Sequence, residues 1–272
     1  MKMRIGNRDF DTKHECYVCG ILNMTPDSFS DGGSYANEDE GYERAVKMME
    51  EGAKIIDVGG LSTRPGYVEI SIDEEINRIL PVIKKIRTVA DAVISVDTYR
   101  PEVALAAVEA GADMINDISC LKDERLAEVA ARTDAAYCLM HNREVSVQPY
   151  VALIDDIKED LQKGLDKLLK AGVKKEKVMI DPGIGFAKDY EENLRTLAKL
   201  DSFTDMGYPL LLGISRKSVI GKALDTTVDQ RLEGTIALNV YGLMKGVSFI
   251  RVHDIKANAW ALKMIREVMR YG

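Results

Sequence analysis

The chain has 272 residues, 46% hydrophobic and 30% charged, with a formal net charge of −7. A length this great can bury a large core, and an acidic balance without a basic block excludes electrostatic attachment to nucleic acid or to an anionic membrane. No apolar stretch reaches the roughly 18 residues of a spanning helix, and residues 1–15, MKMRIGNRDFDTKHE, lack the apolar core of a signal peptide. A cytoplasmic protein with no membrane partner is expected.

In chain order, residues 1–15 read as a short cap. From about residue 16 the apolar run CYVCGILN stops at Asn23. A loop rich in Pro, Ser, Asp and Gly follows, then a helical segment over 38–52 that ends at Gly52, a C′ glycine. AKIIDVGG carries Asp57 followed by glycines, and a second long loop, GGLSTRPGYVEIS, leads to a helix over 73–90 with acidic residues in its first turn. AVISVD stops at Asp97, and Pro101 opens the helix PEVALAAVEA, which halts at Gly111. ADMIND ends at Asn116 and Asp117, AAYCLM stops before His141, and KVMID stops at Asp181; helices over 124–132, 150–171 and 189–200 follow them. YPLLLGIS stops before Arg216 and Lys217, and 215–246 holds two helices broken around Asp225–Val228. VSFIRVHD carries Arg251 and His253, and the last helix starts near Lys256.

Strand-length apolar runs thus alternate with helical segments eight times. That pattern predicts repeated βα units, a parallel sheet and a closed (β/α)8 barrel, whose usual length is roughly 250 residues. The fold class is α/β, a TIM barrel, with one domain over 1–272 and no linker. All eight strand ends of such a barrel point to one face, so the polar residues that stop the runs are expected to meet. Cys16 and Cys19 form a C-x-x-C within a strand, where residues three apart face opposite sides. With Cys120 and Cys138 they read as buried, inert thiols.

Asp97 and Asp181 each end a nearly apolar strand, where an unpaired carboxylate is costly. Either a salt bridge fills the barrel mouth or a ligand edge rich in N–H groups is gripped by two parallel hydrogen bonds. Asn116 adds a donor and an acceptor to the same place. Lys217, Arg251 and His253 follow the last two strands, the usual phosphate site of this fold, with Ser218 and the start of the next helix as further donors. Arg64 in the second long loop is placed to close over the same anion. Asn23 is followed by Thr25, Asp27, Ser28 and Asp31, hard oxygen donors that fit Mg²⁺ held largely by phosphates and water; an Asx-turn is the other reading of Asn23. No zinc-type cluster, Walker loop or nucleophilic Ser/His/Asp set is visible in the sequence.

The strings GILNMTPDSFSDGG, IIDVGGLSTRPG, SVDTYRPEVA, MINDIS, LMH, IDPGIGFAK, GISRKSVIG, RLEGTIA and RVHDI resemble the dihydropteroate synthases at nearly every strand end, from about residue 18 onward. The resemblance implies transfer of a 7,8-dihydropterin-6-ylmethyl group from its diphosphate to p-aminobenzoate, a step of folate synthesis and the target of sulfonamides. It implies that Asp97, Asn116, Asp181, Lys217, Met140 and Gly213 bind the pterin. Thr63, Arg251 and His253 would hold the diphosphate, with Ser62 and Arg64 nearby, and Asn23 would coordinate Mg²⁺. Phe29, Asp31, Pro65, Phe186 and Ser218 would complete the p-aminobenzoate site. A homodimer is also implied. Leu61, Ala187 and Cys120 depart from the residues frequent in the family. A pterin-dependent methyltransferase barrel and a non-catalytic pterin-binding paralogue are the rival readings; the intact SRK and RVH strings and both long loops favour a synthase.

Overall fold

A computed structural model describes residues 2–25, 34–61, 69–88 and 92–271. It opens with an antiparallel hairpin, β1 (Lys2–Ile5) and β2 (Arg8–Asp11). Gly6 at φ +55° makes the tight turn, a conformation glycine adopts without steric cost. Alternation along the hairpin turns Met3, Ile5 and Phe10 to one side, where they are buried.

Eight parallel strands follow: β3 (Tyr17–Asn23), β4 (Ile55–Gly59), β5 (Ile94–Asp97), β6 (Met114–Asp117), β7 (Ala136–Met140), β8 (Val178–Asp181), β9 (Leu211–Leu212) and β10 (Phe249–Val252). They pair in the order β8-β7-β6-β5-β4-β3-β10-β9, and a parallel bridge between Ile180 and Leu210 joins the two ends. The barrel expected from the sequence is therefore present. Strand β9 is shorter than the YPLLLGIS run. Pro209 has no N–H for the ladder, though its carbonyl accepts from Ile180 N at 2.9 Å. Beyond Leu212 the chain already turns, with Lys217 N donating to Ile214 O at 3.1 Å.

The helices are α1 (Ser34–Glu51), α2 (Ile72–Ile86), α3 (Pro101–Glu109), α4 (Arg125–Thr133), α5 (Leu153–Ala171), α6 (Tyr190–Ala198), α7 (Leu200–Thr204), α8 (Ser218–Leu224), α9 (Leu232–Met244) and α10 (Ile255–Met269). Their ends obey local chemistry. Ser71 caps α2 by accepting from Glu74 N at 3.1 Å, and Asp189 and Glu192 form a reciprocal capping box on α6. Gly52, Gly111 and Gly172 follow helices at positive φ. Helix α1 starts four residues before the expected 38, inside the stretch read as loop.

Two apolar layers result. One lies between the strands' outer faces and the helices and includes Val18, Ile56, Ile83, Val96, Leu139 and Ile180. The other fills the barrel interior at the hairpin end, where Met3, Ile5 and Phe10 meet Cys19, Ile55, Val93, Met114, Ala136, Cys138, Met179, Leu211 and Phe249. Phe10 packs edge-on to Tyr17 at 4.9 Å and tilted against Phe249 at 5.6 Å. Each such burial stabilises by roughly 1.5–3 kcal/mol, so the N-terminal cap is a plug. Cys16 lies in the outer layer and Cys19 in the inner one, as the strand spacing requires, and all four thiols are free. Burial pushes the Cys16 thiol up to about 12.

Candidate active site

Because inward and outward residues alternate along a strand, the residue two positions past an apolar plug residue also faces the barrel interior, one layer nearer the mouth. Ile55 leads to Asp57, Met114 to Asn116, Cys138 to Met140, Met179 to Asp181, Leu211 to Gly213 and Phe249 to Arg251. Val93 leads through Ser95 to Asp97, and Cys19 through Ile21 to Asn23. Strand register aligns Gly59 with Asp97, Asp97 with Asn116, and Met140 with Asp181. Asn23, Asp57, Asp97, Asn116, Met140, Asp181, Gly213 and Arg251 thus form one ring. Asp117 does not join it, since its carboxylate accepts from Ser119 Oγ and Tyr137 Oη, nor does His141, which turns to Asp160, nor Arg216, which pairs with Asp254.

Arg251 is the centre of its charge. Its Nε donates to Asp57 Oδ2 at 2.6 Å and its Nη2 to Asp97 Oδ2 at 2.5 Å. The salt bridge foreseen as one fate for Asp97 is realised. Asn116 Nδ2 donates to the same Asp57 oxygen at 3.0 Å. Burial pushes the Asp97 carboxyl up to about 7, with Arg251 opposing and Asp57 adding to the rise. The two carboxylates, Asp57 fully buried and Asp97 partly so, share the one guanidinium charge.

Across the mouth Asp181 is buried, with Oδ1 accepting from Gly183 N at 2.7 Å. Burial raises its pKa and the Lys217 charge opposes the rise. Gly213 keeps the space open here: a Cβ on it would stand 3.5 Å from Asp181 Oδ2 and 3.8 Å from Lys217 Nζ. Lys217 donates to the Ile184 carbonyl and carries its ammonium 4.7 Å over the Phe186 ring. Burial brings the Lys217 pKa down to about 8 against the pull of Asp181.

Behind Arg251, His253 Nδ1 lies 3.0 Å from Ser215 Oγ, and His253 N donates to that oxygen at 3.2 Å. The hydroxyl accepts from the backbone, and it donates to Nδ1 or accepts from it according to the tautomer of the ring. Ser218 is exposed at the start of α8. The Asn23 side chain has no hydrogen-bond partner among the described residues. Its Oδ1 lies 3.7 Å from where a Gly59 Cβ would be, and Asp97 Oδ2 lies 3.8 Å from the same point.

The family whose description is "pterin binding enzyme" matches residues 19–253. The dihydropteroate synthase of Clostridium beijerinckii is 47% identical over 98% of this chain and 100% of its own. The chain belongs to the dihydropteroate synthase family of pterin-binding enzymes. Solved dihydropteroate synthases carry the same barrel. That of Clostridium difficile, determined in the presence of pteroic acid, superposes with a TM-score of 0.92 at 45% identity, covering 96% of this chain and 99% of that one. That of Xanthomonas albilineans with 4-aminobenzoic acid gives 0.93 at 34% identity, covering 98% of each. As a dihydropteroate synthase the chain is a transferase of folate biosynthesis.

The sequence places Asp57 among the polar residues expected to meet but gives it no role; it sits mid-strand, fully buried, pairs with Arg251, and its Oδ1 has no hydrogen-bond partner among the described residues. Ser215 carries no signal in the sequence, because its histidine is 38 residues away. Two departures from the family's frequent residues have a visible consequence. Ala187 and Cys120 take φ of +51° and +62°, where a glycine is freer. Ser62, Thr63, Arg64 and Pro65, and Phe29 and Asp31, lie outside the described residues. Among the described residues no cluster of three His, Cys, Asp or Glu side chains is placed to hold a metal.

Proposed function

We propose that this dihydropteroate synthase condenses 7,8-dihydropterin-6-ylmethyl diphosphate with p-aminobenzoate, releasing diphosphate and forming 7,8-dihydropteroate. The observation that carries this is the single mouth into which Asp97, Asn116, Asp181 and Lys217 converge beside Arg251 and His253. Asp181 offers a buried carboxylate and Asn116 an amide oxygen to the N–H edge of a fused heterocycle. Met140 and Gly213 line its faces, and Lys217 donates to its carbonyl side. Ligands named for the relatives, pteroic acid and 4-aminobenzoic acid, fit the two halves of this reading.

Arg251 has five N–H donors, so its carboxylate bonds leave donors for a phosphoryl oxygen. His253 would add another, and Thr63 with Ser62 and Arg64 would complete the anion site. These groups stabilise the charge that appears on diphosphate as the methylene C–O bond breaks. The arylamine nitrogen then supplies the electron pair to that carbon and gives up a proton to solvent. Ionised Asp97 and Asp181 stabilise positive charge on the pterin meanwhile. Phe186 and Ser218, with Phe29, Asp31 and Pro65 from the long loops, would enclose the arylamine and keep water away.

Asn23 fits a Mg²⁺ ion: its unengaged amide oxygen borders the gap left by Gly59, and a single protein ligand suits an ion held mainly by substrate phosphates and water. The ion would add positive charge beside the leaving diphosphate. We also read the chain as one domain over 1–272, cytoplasmic, and a homodimer. For the dimer the support is an apolar surface on α9 and α10, where Met244, Trp260, Met264 and Val268 are exposed; light scattering should give the mass of two chains. No helix among the described residues is long and apolar enough to cross a membrane.

The test is direct. The protein, the dihydropterin diphosphate, labelled p-aminobenzoate and Mg²⁺ should yield labelled dihydropteroate and one diphosphate per product. No coupled product under these conditions would remove the proposal.

A further inference from the structure

Lys188 closes the loop over 182–189 between β8 and α6 and belongs to none of the groups placed around the substrates above. Burial lowers the Lys188 pKa to about 7 against the pull of Asp181. Its Nζ meets the Gly183 carbonyl at 3.1 Å, the Phe186 carbonyl at 3.1 Å and His141 Nδ1 at 3.0 Å. In its charged form it has three donors and no acceptor, so the loop is shaped around this one group. Behind it His141 is fully buried, with Nε2 3.3 Å from Asp160 Oδ2 on α5. Arg143 Nε donates to that same oxygen at 2.8 Å. With Nδ1 accepting from the lysine, the ring proton sits on Nε2 and points to Asp160.

Burial, together with the Lys188 and Arg143 charges, pushes His141 down to about 2. The imidazole therefore stays neutral and able to accept. The loop has little room to move against it, since a Cβ on Gly183 would come within 2.0 Å of the His141 carbonyl oxygen. A second clamp reaches in from α6: Asn193 Oδ1 accepts from Gly185 N at 2.6 Å, and its Nδ2 donates to Lys188 O at 3.1 Å. What the lysine adds to that clamp is a bond to the carbonyl of Phe186 itself, the residue whose ring lies under Lys217.

We propose that Lys188 is a positioning residue for the arylamine half of the site, anchored through His141 to Asp160 and setting the place of the Phe186 ring against Lys217. This rests on the reading that Phe186 borders p-aminobenzoate. Lys188 touches neither substrate and acts through Phe186. Its loss is therefore expected to fall on one substrate and not on the other.

Steady-state kinetics with both substrates varied test this. Lys188→Met keeps the aliphatic stem and removes the donors. It should raise KM for p-aminobenzoate about ten-fold, equivalent to about 1.4 kcal/mol, and leave KM for the dihydropterin diphosphate within about two-fold. On a Phe186→Ala background the same substitution should leave the already raised p-aminobenzoate KM unmoved, because the residue it acts through is gone. His141→Leu removes one of the three acceptors and should give a smaller shift of the same kind; it stands in if Lys188→Met does not fold. Equal changes in both KM values, an undiminished effect on the Phe186→Ala background, or no effect at all would overturn the inference. Wild-type turnover is measured first. If the wild type makes no dihydropteroate, the proposed function fails; if it does and the variants behave like it, only the role of Lys188 fails.

Discussion

The two ends of the barrel are made by the same strands, two residues apart, and are opposite in character. At the hairpin end the inward side chains are Ile55, Met114, Met179, Leu211 and Phe249, sealed by Met3, Ile5 and Phe10. At the mouth the same faces carry Asp57, Asn116, Asp181, Gly213 and Arg251. Backbone conformation divides in the same way. Among the described residues, non-glycine positive φ is found at Cys120, Leu121, Ala187 and Arg216, in loops after β6, β8 and β9, and otherwise only at Asp134 and Asp225, which cap helices. One end lowers the free energy of the fold; the other holds buried charge and unfavourable backbone that the closed, plugged end can support.

The sharpest way to break this comparison is one substitution at each end. Asp181→Ala removes a buried acceptor whose charge-assisted hydrogen bonds are worth about 1.5–3 kcal/mol each. With two such bonds to the ligand, pterin-analogue affinity should fall by roughly a thousand-fold, while stability falls by about 1–3 kcal/mol because Gly183 N loses its acceptor. Calorimetry showing unchanged affinity would contradict the assignment of Asp181. Phe10→Ala should act on stability alone. It deletes an aromatic plug touching Tyr17 and Phe249 and should cost about 3–5 kcal/mol of stability, with the affinity of the folded protein for the same analogue unchanged. If Phe10→Ala abolishes binding in protein shown to be folded, the two ends are not separable.

The division also decides what could be read from sequence. Strand ends and helices were legible because hydrophobic periodicity is local: the break between α8 and α9, the start of α3 at Pro101 and the glycine after α1 all follow from neighbouring residues. Convergence of Asp97, Asn116, Asp181 and Lys217 was legible once eight repeats implied closure. Contacts across the barrel were not. Arg251 reaches Asp57 over 194 positions and Asp97 over 154, and nothing in composition or spacing pairs one guanidinium with two carboxylates. The Lys188 and His141 contact, 47 positions apart, was hidden for the same reason. Both lie in recognised strings, yet only the fold shows that they touch.

A smaller effect sharpens the electrostatic side. The Asp97 carboxyl stands at about 7 because burial outweighs the help of an arginine it shares with Asp57. Its pKa in the unfolded chain is about 3.9. The folded form therefore holds the proton more tightly, and the stabilisation is fully present below the unfolded value and lost as pH rises toward 7. Compared with Asp97→Asn, which does not titrate, the wild type should lose relative stability between about pH 4 and pH 7. Urea midpoints of the two proteins across that range give the sign; a gap that stays constant or moves the other way means Arg251 dominates burial.

The smallest expected effect concerns the backbone. Ala187 sits at φ +51°, next to Phe186 and Lys188. For an L-residue the left-handed region costs roughly 1–2 kcal/mol, and a glycine there escapes it while giving back about 0.4–1 kcal/mol of chain entropy. Ala187→Gly should therefore stabilise by about half a kcal/mol or be neutral. Ala106 lies within α3, and there the same change should destabilise by about 1 kcal/mol. Opposite or unequal signs at the two alanines locate backbone strain in the mouth loops and not in the surrounding helices. If both substitutions destabilise alike, the left-handed alanine is not strained, and the unfavourable backbone assigned to this end is reduced to its buried charges.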